Sequence, residues 1–178
     1  PMFNKFTSLE EGDLRSAIEN FSKKVNFPIG RIDVMDGSRR SGHSNAYFSG
    51  FGKSRRIALF DTLLDKHSTE EIVSVVAHEV GHYKKKHVIT GTILGILETG
   101  LMLYIFNLLM NNQALFDVFG VENISVYGGL VFFGMLYAPV SIITSICSTA
   151  MSRKNEFEAD LYALETTKKP EPLISMLK

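Results

Sequence analysis

The sequence has one cysteine, Cys147, and no charge imbalance: 19 Lys and Arg face 19 Asp and Glu in 178 residues. A lone cysteine cannot form an internal disulfide, so nothing marks a small secreted scaffold. Zero net charge leaves no electrostatic footprint for nucleic acid, and no nucleic-acid partner is expected. The sequence has no internal repeat and no low-complexity linker, and no signal peptide is expected in it. Composition is ordinary, which excludes simple disorder and a collagen-like chain. Length alone suggests one domain with its own core.

What is present is unevenly placed. Residues 1–87 are dense in Lys, Arg, Asp and Glu, whereas residues 88–110 carry Glu98 as their only charge and residues 126–151 carry none. A helix rises about 1.5 Å per residue, so roughly 20 residues cross the hydrocarbon core of a bilayer. Both runs are long enough. Buried helices of a soluble core usually show a polar stripe, and these show only scattered Gly, Ser and Thr besides Glu98. They are therefore read as two transmembrane helices. Glu98 is expected to face protein or a watery cavity, because a carboxylate against lipid is costly. At Pro139, mid-span, a neighbouring helix or a hydroxyl is expected to satisfy the freed carbonyl.

Flanking charge sets the orientation. Tyr83-Lys84-Lys85-Lys86-His87 precedes the first run, Arg153-Lys154 follows the second, and the connector 111–125 has only Asp117 and Glu122. Basic ends on one side put both outer segments in the cytoplasm and the connector across the membrane. The expected organisation is a cytoplasmic part at 1–87, spans at 88–110 and 126–151 forming a helical hairpin, a connector at 111–125, and a cytoplasmic helix at 152–178.

Before the first span, Ser8-Leu9-Glu10-Glu11 reads as a capping box opening a helix to about Val25, with Leu14, Ala17, Ile18 and Phe21 on its apolar face. Pro28 and Gly30 end it. Residues 31–35, 44–49 and 56–60 read as three strands, with a turn at Asp36-Gly37. Ser68, with Glu71 three residues on, caps a further helix.

That helix carries His78-Glu79-Val80-Gly81-His82. Residues i and i+4 share a helix face, so both imidazoles reach one tetrahedral ion, and Glu79 is placed to act as general base on its water. The apolar run Ile72, Val73, Val75, Val76 and Ala77 before it buries the helix where a zinc protease needs it. His87 is five residues past His82 rather than six, and Lys85 stands where glycine is needed, so His87 is not a third ligand of the extended zinc-protease pattern. His43 and His67 read as loop or surface residues. The third ligand is assigned to Glu156, in Arg153-Lys154-Asn155-Glu156-Phe157-Glu158-Ala159-Asp160. On a continuing helix Asp160 shares its face and would fix a ligand imidazole's tautomer, while Glu158 points away. The hairpin returns Glu156 to the side where the histidines are.

These residues together resemble the type I CAAX prenyl endopeptidases, integral-membrane zinc proteases of the Ste24 kind. The resemblance runs through Phe3-Asn4-Lys5-Phe6-Thr7, Asp36-Gly37-Ser38-Arg39-Arg40-Ser41 and Ser44-Asn45-Ala46-Tyr47-Phe48. It continues through residues 56–64, His78–His82, Ser152-Arg153 and Glu156–Asp160. It implies a mainly α, integral-membrane fold with a zincin-like HExxH helix, a small three-stranded sheet and the transmembrane hairpin. It implies helices ringed around a water-filled chamber, and removal of the C-terminal tripeptide of prenylated proteins, with a second cut in some substrates. One Zn2+ would be held by His78, His82 and Glu156, with Glu79 as catalytic base. The strand edge at Asn45, Ala46 and Tyr47 would pair with substrate backbone, as an exposed edge does with an extended peptide. Expected partners are that peptide and the lipid bilayer, in the endoplasmic reticulum of a eukaryote or the cytoplasmic membrane of a prokaryote.

The family also has helices before residue 1, and a histidine and an arginine beyond residue 178, so the chain reads as the catalytic piece of a larger protease. Two alternatives remain at this point: a related HtpX-like quality-control protease, and a catalytically silent membrane scaffold with a structural metal. Structural zinc usually has four protein ligands, and only three are convincing here.

Overall fold

The computed structural model describes residues 6–36, 46–50 and 55–176. The chain divides into two compact units, Pro1–Lys85 with Asn155–Lys178, and Lys86–Lys154.

The first unit is built on a four-stranded sheet of β1 (Phe6–Ser8), β2 (Arg31–Met35), β3 (Ala46–Ser49) and β4 (Arg56–Phe60), in the order β1-β2-β4-β3. The β2–β4 pair is parallel, and β1 and β3 run antiparallel to their neighbours as the two edges. The three strands expected are found, with a fourth, β1, added at the edge of β2. Of the expected strand 44–49, only 46–49 lies within the described residues; Gly37, His43 and Asn45 lie outside them. Ile32, Ile57 and Leu59 project from the sheet into a core shared with α1 (Asp13–Lys24) and α3 (Thr69–Lys84). Ile18 and Phe21 enter it from α1, and Ile72, Val76, Ala77 and Val80 from α3. These α3 positions recur at the three- and four-residue spacing of one helix face. Phe27 and Leu63, which precedes the end of α2 (Asp61–Lys66), complete it.

Asp33 is fully buried on β2, and Arg31 meets its Oδ1 at 2.6 Å while Arg56 lies 3.4 Å from its Oδ2. Two guanidiniums compensate the cost of taking that carboxylate out of water.

The capping box expected at Ser8 is not formed. Ser8 ends β1 opposite Asp33, and the Leu9 N–H donates to the Ile32 carbonyl, so this stretch belongs to the sheet. The helix starts five residues later at Asp13, with Gly12 as its cap and no side-chain cap. It stops at Lys24, before Pro28, where Asn26 takes φ 50°.

The box at Ser68 is complete. The Glu71 N–H donates to Ser68 Oγ, and the Ser68 N–H donates to the Glu71 carboxylate at 2.8 Å. A hydrogen bond from the Ser175 hydroxyl, on α7 (Pro170–Met176), and those from Ser68 hold the Glu71 carboxyl at about 2, well below its ordinary 4.5. A depressed carboxylate stabilises the fold above its ordinary pKa and loses that contribution as pH falls through the folded value. Glu71→Gln is therefore expected to lower the thermal midpoint at about pH 6, and the deficit against wild type to shrink as pH approaches about 2. Circular dichroism in detergent measures it; a deficit that does not change with pH contradicts the assignment.

The second unit holds α4 (His87–Met110), α5 (Gln113–Val118) and the first part of α6 (Val126–Thr167). Both long helices are long and apolar enough to cross a membrane. Their large apolar side chains are exposed along the length, among them Ile96, Leu97, Leu103, Val131, Ile142 and Ile146. Such a surface suits hydrocarbon and not water. Phe106 of α4 meets Phe133 of α6 edge-on at 5.1 Å, and the Met110 side chain fills the space beside Gly129. The connector is not plain loop: Asn112 caps α5, whose Phe116 is buried against Phe132. Pro139 lies inside α6; the Ser141 hydroxyl donates to the Ala138 carbonyl, which is not the Met135 carbonyl that the proline frees. No helix boundary falls at residue 151 or 152, since α6 runs unbroken to Thr167.

Candidate metal centre

The centre lies in the first unit, where α3 meets the final turns of α6. Close approach is possible because small residues face each other. A β-carbon on Gly81 would sit 3.1 Å from both Cα and O of Ala159 and 3.2 Å from Cβ of Tyr162. Ala159 is fully buried. Glycine inside a helix costs about 1 kcal/mol relative to alanine, so it belongs here only because the neighbouring backbone needs the space.

With the helices this close, side chains one turn apart on each converge. His78 and His82 Nε2 are 3.0 Å apart, and Glu156 Oε2 lies 3.4 Å from the first and 3.6 Å from the second. On the far side of the His78 ring, Nδ1 is 2.8 Å from Asp160 Oδ1. Glu156 and Asp160 are themselves one turn apart, so one face of α6 supplies both carboxylates.

The triangle can be tested against an ion. Bonds of about 2.0–2.1 Å to a tetrahedral metal place neighbouring ligand atoms roughly 3.3 Å apart. The three observed separations bracket that value. Two imidazoles and a carboxylate, with a fourth position open, form a donor set that zinc takes in catalytic sites. The Asp160 carboxylate can only accept a hydrogen bond here, so it favours the tautomer with the proton on His78 Nδ1, which leaves a lone pair on Nε2 facing the centre. Glu79 follows His78 on α3 and is half-buried. Burial pushes its carboxyl pKa up, the Glu156 charge adds in the same direction, and His78 opposes both.

The structure thus brings together His78, His82, Glu156 and Asp160. His87 is outside the group, and Glu158 contributes no ligand atom to it. His67 lies 3.8 Å from Glu71, beside the α3 cap. Of the strand-edge residues, Asn45 falls outside the described residues. Ala46 is buried on β3, and Tyr47 is half-buried with its ring edge-on to Phe60 at 6.4 Å. Among the described residues, the side of β3 away from β4 has no strand partner. Gly81 has a role that the motif spacing did not assign; its only signal was a glycine between two histidines of a buried helix.

Residues 8–177 match the family model of peptidase family M48. The chain belongs to peptidase family M48. It is 38% identical to CAAX prenyl protease 1 of Saccharomyces cerevisiae over 179 residues, covering 92% of this M48 chain and 40% of the relative. It is 42% identical to the CAAX prenyl protease 1 homolog of Oryza sativa subsp. japonica over 183 residues, all of this chain and 42% of that protein. The crystal structure of S. mikatae Ste24p superposes with a TM-score of 0.81 at 38% identity, over 99% of this chain and 45% of that one. The M48 chain thus spans less than half the length of each of these relatives. The mainly helical fold with its small mixed sheet agrees with the one expected.

Proposed function

We propose that this M48 chain is the catalytic part of a zinc-dependent membrane endopeptidase that cuts peptide bonds near the C-terminus of prenylated CAAX proteins. The observation that carries the reading is the triangle of His78 and His82 on α3 with Glu156 on α6, a helix that continues from an apolar run, and Glu79 beside the first histidine. Similarity to CAAX prenyl proteases supports the substrate class.

His78, His82 and Glu156 would hold one zinc ion per chain, and the chemistry it would supply there is a water made acidic enough to ionise near neutral pH and a Lewis acid for the scissile carbonyl. Glu79 takes a proton at its carboxylate oxygen and returns it to the leaving amine. A pKa raised by burial suits both halves of that task, since the acid that forms must hold its proton until the amine departs. Asp160 orients His78 through Nδ1. An extended substrate would pair by main-chain hydrogen bonds with β3, the edge strand that carries Ala46 and Tyr47. α4 and α6 span the bilayer with their basic ends in the cytoplasm.

Asp160→Asn is expected to lower zinc affinity about 10- to 100-fold, because an amide accepts a weaker hydrogen bond from His78. Competition with a fluorescent chelator measures it, and unchanged affinity removes Asp160 from this role. Substrate class is tested on the full-length protein with farnesylated and unmodified versions of one peptide, with and without a metal chelator. Cutting that needs both the farnesyl group and the metal is expected. Equal cutting of both peptides favours a general quality-control protease, and chelator resistance rejects the zinc mechanism.

A further inference from the structure

Alternate residues of β4 face α3. Ile57 and Leu59 enter the shared core, and Arg55, just before the strand, carries its side chain to the same side, against Phe27 and Tyr83. Its Cζ lies 4.5 Å from the centre of the Phe27 ring and 4.7 Å from that of Tyr83. The Nε atom is buried and, among the described residues, has no hydrogen-bond acceptor, and no carboxylate pairs with the guanidinium. Taking that cation out of water costs free energy that a leucine or methionine would not, so packing alone does not account for it. Its compensation is the attraction of the two ring faces.

The rings belong to the parts that the proposed reaction needs. Tyr83 follows the ligand residue His82 and stands one turn beyond Glu79 on α3. Phe27, in the connection from α1 to β2, meets Tyr83 edge-on at 5.1 Å and Phe48 of β3 edge-on at 5.3 Å. Phe27 is therefore a wedge between the helix that carries the histidines and the edge strand. Arg55 holds the wedge twice. Its carbonyl accepts from the Gly30 N–H at 2.8 Å and the Arg31 N–H at 3.3 Å, which fixes the connection, and its guanidinium holds the Phe27 ring to Tyr83.

Resting on the reading of β3 as the strand that pairs with substrate, we propose that Arg55 is a positioning residue. Its guanidinium, clamped on Phe27 and Tyr83, sets the spacing of β3 from α3 and so the fit of an extended peptide between strand edge and metal. It acts through the contact of Phe27 with Phe48 and is not a catalytic residue. Peptides long enough to pair along β3 depend on the clamp, and shorter ones do not.

The test uses the full-length protein and two peptides of one cleavage sequence. One is long enough to pair along the four residues of β3, and the other is cut back to the residues beside the scissile bond. Arg55→Met keeps the apolar packing and removes the cation. It is expected to raise KM for the long peptide about fivefold, with kcat within about twofold, zinc content unchanged and KM for the short peptide as in wild type. Tyr83→Leu removes the other half of the clamp and should raise the same KM, and the double variant should be no worse than either single one. An unchanged KM in Arg55→Met, an equal rise for both peptides, or single effects that add in the double variant overturns the proposal. If Arg55→Met does not fold, Tyr83→Leu and the ring-preserving Tyr83→Phe decide: KM for the long peptide should rise in the first alone, and a rise in both or in neither counts against the clamp. A wild type with equal KM for the two peptides instead rejects the pairing of substrate with β3 beneath it.

Discussion

Glu79→Gln is expected to keep one zinc per chain and to lose peptide hydrolysis by about 10²- to 10⁴-fold. Glutamine has nearly the shape of glutamate, so the packing of α3 around Val76 and Val80 is undisturbed. Glu79 supplies no atom to the ligand triangle, which is complete with His78, His82 and Glu156. An amide can neither take up a proton from the attacking water nor deliver one to the amine, and positioned proton transfer contributes about 10²- to 10⁴-fold. The measurement is kcat/KM on a peptide substrate beside zinc content by mass spectrometry. Activity within a few fold of wild type ends the general-base assignment. Loss of zinc along with activity would mean that Glu79 acts on the site's structure and not on the reaction.

Glu156→Ala is expected to do the opposite at the metal. It removes the one ligand that comes from α6 and leaves two imidazole nitrogens 3.0 Å apart on a single helix. Such a pair meets only half of a tetrahedral shell, so a chelator strips the ion readily. Loss of a carboxylate that merely supports a ligand costs 10- to 100-fold in affinity, and a direct ligand is expected to cost more than about a hundredfold. The helix should survive, because the Glu156 side chain is 58% exposed and the buried contact nearby is made by Ala159. Zinc content after dialysis against a chelator, with helicity as control, reads the result. Full retention of zinc would show that the third ligand is another residue. His78→Ala should fail in the same way while also freeing Asp160, so the alanine at 156 is the cleaner variant.

Most of the site was legible because its chemistry is local in two pieces. Four-residue spacing put His78 and His82 on one face, the same spacing put Glu156 and Asp160 on another, and a metal's need for a third ligand joined them. The apolar runs were legible for a similar reason, since no soluble arrangement needs so long a stretch without charge. What failed was decided by contacts distant in sequence. Ser8 and Ser68 carry the same box signature, yet Ser8 is claimed by pairing with Asp33 and only Ser68 caps a helix. The three residues of β1 are too few to show a period, and they are a strand only because the edge of β2 is available. The six residues of α5 gave no signal for the same reason of length. Gly81 could be read as a helix weakness until Ala159 was found against it.

That contact has a consequence for metal choice. Glu156 meets the histidines only as closely as the α3 and α6 backbones permit, and at Gly81 there is no side chain left to remove. The aperture between the ligands is therefore already at its lower limit, and any substitution at residue 81 can only widen it. A methyl group there would push Ala159 away by a few tenths of an ångström and open the triangle toward ions larger than zinc. If the centre takes an ion, its size selectivity would depend on the spacing of two main chains as much as on the three ligands.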